Sequence, residues 1–63
     1  MPLVEISMLA GRSDEAKERL IREITETVVR AVEVPAEAVT VIIREVPRTQ
    51  WGKAGEPYSK RRT

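Results

Sequence analysis

The chain has 63 residues, 11 basic against 10 acidic, 41% of them hydrophobic, with no Cys and no His. Disulfides, thiolate nucleophiles, imidazole catalysis and a zinc site of the usual ligands are thereby excluded; the near-neutral, mixed charge offers no basic face to nucleic acid, and no apolar run reaches the roughly 20 residues of a membrane span. With no Phe, one Trp and one Tyr, the core must be aliphatic, and so short a chain is expected to bury its Val, Ile and Leu against other copies.

The chain opens MPLVEISML. Residues 2–9 read as a β-strand, with Val4, Ile6 and Met8 on one face and Leu3, Glu5, Ser7 and Leu9 on the other. Both faces are largely apolar, which suits a strand covered on both sides. Proline cannot donate to a sheet, yet it is tolerated as the first residue of a strand. Pro2 has a second possible meaning. If Met1 is removed, its nitrogen changes from an inert imide into a secondary amine, both base and nucleophile. No basic segment followed by an apolar one begins the chain, so no signal peptide is expected and a cytoplasmic location is the default.

Ala10 and Gly11 end the strand, and Ser13 is the expected N-cap of a helix with Asp14 and Glu15 in its first turn. Ala16 stands where a capping box would need Glu or Gln. Ala16, Leu20, Ile24, Val28 and Ala31 recur at helical spacing, and Ile21 and Val32 widen the stripe. Glu15–Arg19, Glu18–Arg22 and Glu26–Arg30 are spaced for i,i+4 pairs on a solvated face. Pro35 should stop the helix at about Glu33.

Residues 39–46, VTVIIREV, form a second β-rich run. A connection containing a helix is what parallel strands require, so the unit is expected to be a right-handed β-α-β. The following PRTQWGKAGEPYSKRRT is rich in Gly, Pro and polar residues and predicts a loop with a short hairpin or arm. The fold class is α/β: one domain over residues 1–63, with a two-stranded parallel sheet extended by oligomerisation. One helix covers only one sheet face, so the other is expected to meet a neighbouring subunit. A ribbon-helix-helix DNA-binding protein would need a second helix, and none is predicted.

Few residues can carry chemistry. A processed Pro2 is the most distinctive base; nearby cations and desolvation both lower an amine's pKa, favouring the free base at neutral pH. The same cations would attract an anionic substrate and stabilise a developing enolate. Arg12 lies in the G-R-S turn, where loops tend to carry function. Trp51 is either an interface anchor or the apolar wall of a pocket. Arg44 and Arg48 are further candidates for anion contacts.

The ordered set P-L-V-x-I, L-x-G-R-S-D-E-x-K, L-I-R-E-I, V-x-V-I-I-x-E, W-G-x-x-G-E and the final S-K-R-R resembles the 4-oxalocrotonate tautomerase family over nearly the whole chain. The resemblance implies a β-α-β protomer in a hexamer, a trimer of dimers, with sites shared between subunits and no cofactor. It implies Pro2 as the catalytic amine, moving a proton between the enol oxygen and a distant carbon of a conjugated 2-hydroxy-dienoate to give the 2-oxo isomer. Arg12 would bind a substrate carboxylate and Trp51 would supply the hydrophobic wall, where Phe is usual. The sequence departs from the family at Thr40, which stands where active members usually carry a second arginine. Arg44 shares that strand face, but four residues span about 13 Å along a strand, so it could serve only from a neighbouring subunit.

Three alternatives follow. The chain could be a complementary or inactive subunit of a heterohexamer. It could act on another substrate. Or it could be a hydrolytic dehalogenase, with Glu56 or Glu45 activating water.

Overall fold

The computed structural model describes residues 1–60. The basic end of the tail, Arg61 and Arg62, on which the S-K-R-R match rests, lies outside the described residues.

Strand β1 (Leu3–Leu9) leads into helix α1 (Asp14–Val32), which returns the chain to β2 (Thr40–Val46). The two strands pair in parallel, from Leu3 opposite Thr40 to Leu9 opposite Val46. This is the expected β-α-β unit, with β2 beginning one residue later than the apolar run.

The alternation in β1 sets the two faces of the sheet. Val4 and Ile6 line an open groove with Leu20, Ile24 and Val28 of α1, so the helix covers the face carrying Val4, Ile6 and Met8 and their partners Val41, Ile43 and Glu45. The opposite face carries Leu3, Glu5, Ser7 and Leu9 beside Thr40, Ile42, Arg44 and Val46. It is more polar than the sequence suggested, because Arg44 reaches across to form an ion pair with Glu5.

Ser13 caps α1 as expected: its side-chain oxygen accepts from the Ala16 amide at 3.1 Å. At the other end Glu33 adopts a left-handed conformation (φ 62°) and its amide donates to the Val29 carbonyl, ahead of Pro35. Removing the Ser13 oxygen leaves a helix-terminal amide without its partner. Ser13→Ala is expected to destabilise the protein by about 1 kcal/mol per chain, read as a lower urea midpoint at fixed protein concentration.

The helix surface differs from expectation in two ways. None of the three anticipated i,i+4 pairs forms among the described residues; Arg19 instead pairs with Glu23 at 3.0 Å. Lys17 bonds Glu45 at 2.8 Å and also approaches Asp14 at 3.5 Å, tying the first turns of α1 to the end of β2. The hydrogen bond to Glu45 raises the Lys17 pKa above its ordinary 10.5, outweighing a lowering by desolvation. A raised amine pKa stabilises the fold fully at neutral pH, and that contribution is lost only as pH climbs through the folded value.

The apolar stripe is also only partly covered. Leu20, Ile24 and Val28 are half-buried, joined by Val29, whereas Ala16, Ile21, Ala31 and Val32 are exposed. Val32 is 56% exposed, Leu3 54% and Ile42 36%, and no described residue is fully buried. The chain exposes 5105 Å², where a compact monomer of its mass exposes about 4,100 Å². Large aliphatic side chains left open on both layers stabilise a fold only when another surface covers them.

Beyond β2 the chain makes a 3-10 turn at Arg48–Gln50, a hairpin of β3 (Gly52–Lys53) and β4 (Glu56–Pro57), and a last 3-10 turn at Tyr58–Lys60. Its two-residue loop, Ala54-Gly55, has positive φ at both positions (55° and 83°), the geometry of a tight hairpin turn. β4 packs against the Arg48–Gln50 turn, and that turn packs against the Tyr58–Lys60 turn. The hairpin is the arm expected from the sequence.

Candidate functional site

Two groups of candidate residues sit at opposite ends of β1. At its start, half-buried Pro2 accepts a hydrogen bond from the Thr40 amide through its carbonyl, at 3.0 Å. A proline here costs the sheet no bond, since it lies just before the first paired residue. The same bond places Thr40 beside it. Thr40 carries a neutral hydroxyl where a guanidinium was expected, so this end of the protomer has no cation from Thr40. Met1 projects outward, 98% exposed.

At the far end of β1 the chain turns through Gly11, whose φ of 126° is a conformation that a side chain would strain. Arg12 follows and is exposed just before the Ser13 cap. The arm returns here. Leu9, Ala10, Gly11 and Arg12 line a cavity of about 180 Å³ together with Arg48 and Tyr58. The Arg48 guanidinium lies over the Tyr58 ring, 5.1 Å from its centroid, an attractive contact between a cation and the negative face of the ring. Among the described residues neither Arg12 nor Arg48 takes part in an ion pair. The cavity therefore presents two uncommitted positive charges.

Pro2 and Arg12 cannot meet within one protomer. The six steps from Leu3 to Leu9 span about 20 Å at ~3.3 Å each. Thr40 is close to Pro2, whereas Arg12 is grouped with Arg48 and Tyr58. Arg44 belongs to neither group; it lies between them on the open sheet face, held by Glu5. Trp51 is half-buried at the base of the hairpin, where its carbonyl accepts from the Tyr58 amide at 2.7 Å. It does not line the arginine cavity. Glu45, one of two carboxylates considered for activating water, is engaged by Lys17.

Tyr58 is the residue that sequence reasoning missed. It is the only tyrosine in the chain, and its place in the arm after a hairpin turn was the available signal.

A family model described as tautomerase enzyme matches residues 2–61. The chain belongs to the tautomerase family. A 2-hydroxymuconate tautomerase of Pseudomonas putida is 50% identical over 60 residues, 95% of each chain. Among solved structures, a 4-oxalocrotonate tautomerase homologue superposes with a TM-score of 0.92 at 36% identity, covering all of both chains. A heterohexamer 4-oxalocrotonate tautomerase from Chloroflexus aurantiacus gives 0.91 at 40% identity, over 98% of this chain and all of that one. The tautomerase fold is thus shared along essentially the full length, Pro2 included.

Proposed function

We propose that this chain is a cofactor-independent tautomerase that converts 2-hydroxy-dienoates of the 2-hydroxymuconate type to their 2-oxo isomers, with Pro2, freed by removal of Met1, as the acid-base group. The placement of Pro2 carries this assignment: the residue is fixed at the head of β1 by its bond to Thr40, in a chain half identical to a 2-hydroxymuconate tautomerase. The amine takes the proton of the substrate's hydroxyl, leaving a dienolate, and returns it to a distant carbon of the conjugated chain. The substrate's total of atoms and charge is unchanged, as an isomerisation requires. Arg12 binds a carboxylate and Trp51 forms the apolar wall.

Because Pro2 and Arg12 lie about 20 Å apart along one strand, a working site draws them from different subunits. The exposed Leu3, Ile42 and Val32 supply the surface for such self-association, and a hexamer acting in the cytoplasm is the assembly we assign. The decisive experiment is ketonisation of 2-hydroxymuconate, followed by ultraviolet absorbance, on protein whose intact mass shows that Met1 has gone. Absence of turnover in the processed hexamer would overturn the assignment for a homomeric enzyme.

Thr40 favours a second assignment, in which the chain partners a related one that supplies the missing arginine, as a relative forms a heterohexamer. Activity that arises only on mixing with a paralogous chain would establish it. For the homomeric enzyme, Thr40→Arg places a guanidinium beside Pro2 and is expected to raise kcat/KM for 2-hydroxymuconate about tenfold, since one charge-assisted hydrogen bond is worth roughly 1.5–3 kcal/mol. An unchanged rate would mean that Thr40 is matched to a different substrate or that its missing charge is compensated elsewhere.

A further inference from the structure

We propose that Arg48, held by Tyr58, is a second carboxylate-binding arginine that acts with Arg12 on one substrate carboxylate. The inference rests on the tautomerase assignment for the identity of the substrate, but its geometry is independent of Pro2. Arg12 comes from the β1–α1 turn and Arg48 from the 3-10 turn after β2, and both line one cavity of about 180 Å³. That volume has room for a carboxylate and the carbons attached to it. Both guanidiniums are uncommitted among the described residues. Two adjacent cations without a counter-charge repel one another, and a carboxylate between them removes that repulsion while accepting up to four hydrogen bonds.

Tyr58 makes the arrangement more than a chance approach of two exposed side chains. Stacking on its ring restricts the Arg48 guanidinium to one region, so less side-chain freedom is lost when an anion binds. The hydrogen bond from the Tyr58 amide to the Trp51 carbonyl fixes the ring's backbone to the start of the hairpin. The arm thereby brings a positively charged side chain to the mouth of the Arg12 turn. Thr40 makes this consequential: it stands beside Pro2 where an arginine was expected, and Arg48 supplies a second positive charge at the other end of β1. The cavity's preference is for substrates with a terminal carboxylate.

The test compares wild-type protein, Arg48→Ala, Arg48→Lys, Tyr58→Phe and Tyr58→Leu, each checked for unchanged assembly by size-exclusion chromatography. Binding of (2E,4E)-muconate, an unreactive diacid, is measured by calorimetry, and kcat and KM are measured with 2-hydroxymuconate. Arg48→Ala is expected to weaken muconate binding about tenfold and raise KM similarly, with kcat within about threefold of wild type. Arg48→Lys should recover only part of this, because an ammonium lacks the planar fork. Tyr58→Phe, which keeps the ring, should bind as wild type does, whereas Tyr58→Leu should lose about half as much, on a logarithmic scale, as Arg48→Ala.

Muconate affinity within twofold of wild type in an assembled Arg48→Ala protein would overturn the proposal. So would a wild-type protein that does not bind muconate. If muconate binds in an Arg48-dependent way but 2-hydroxymuconate is not ketonised, the carboxylate site stands and the tautomerase assignment falls.

Discussion

Pro2→Ala is expected to lower kcat/KM for 2-hydroxymuconate ketonisation by about 10²–10⁴-fold, the usual contribution of a positioned general acid-base group. Alanine still begins the processed chain with an amine. It loses the ring that fixes the nitrogen's direction and the higher basicity of a secondary amine. The carbonyl bond to the Thr40 amide involves only the backbone, so the variant should fold and assemble as the wild type does. kcat/KM should rise with pH as the Pro2 amine loses its proton, and the alanine variant, whose primary amine is less basic, should move this limb. A protein that keeps Met1 makes the sharper comparison. Its Pro2 nitrogen is an imide with no basic lone pair, so retention of Met1, read by intact mass, should abolish turnover without changing the fold. Undiminished activity in either protein would remove Pro2 from the mechanism.

What the sequence made legible was whatever local chemistry decides. Ser13 caps α1 because a side-chain oxygen at that position satisfies a free amide, and Pro35 limits the helix because the residues before it cannot continue one. The parallel pairing of β1 with β2 follows from a connection long enough to hold a helix. The charged partners on α1 were not legible. Exposed i,i+4 pairs are worth only about 0.2–0.5 kcal/mol each, so small differences in side-chain placement select Arg19–Glu23 over three other spacings that the sequence equally allows. Lys17–Glu45 and Arg48–Tyr58 join residues from separate elements and depend on how the helix and the arm return to the sheet. The exposure of Ile21 and Val32 has the same origin. A helical period reports which side chains need cover, but not whether their own sheet or another subunit provides it. The positions of Pro2 and Arg12 at opposite ends of β1 were implicit in their spacing along a single strand. Only the paired register shows that no fold of the described chain brings Arg12 back to Pro2.

Arg12→Ala is expected to lower kcat/KM by about 10–100-fold, chiefly through KM, since it removes charge-assisted hydrogen bonds worth roughly 1.5–3 kcal/mol. Arg12→Lys should restore part of the affinity but not the bidentate geometry. The more informative experiment combines this lesion with Pro2→Ala. If each site takes Pro2 from one chain and Arg12 from another, co-assembly of the two variants places an intact Pro2 beside an intact Arg12 in some sites. With equal amounts and random mixing, about a quarter of sites receive both native residues and activity returns to about a quarter of wild type. A site built within one protomer would recover nothing, because every chain carries one of the two lesions. Co-expression with two different affinity tags, sequential purification of the mixed species and the ultraviolet ketonisation assay distinguish these outcomes. Recovery would also explain why so small a chain keeps aliphatic side chains open on both layers: the surfaces that stabilise the assembly are the ones that bring a strand's first residue to another strand's last turn.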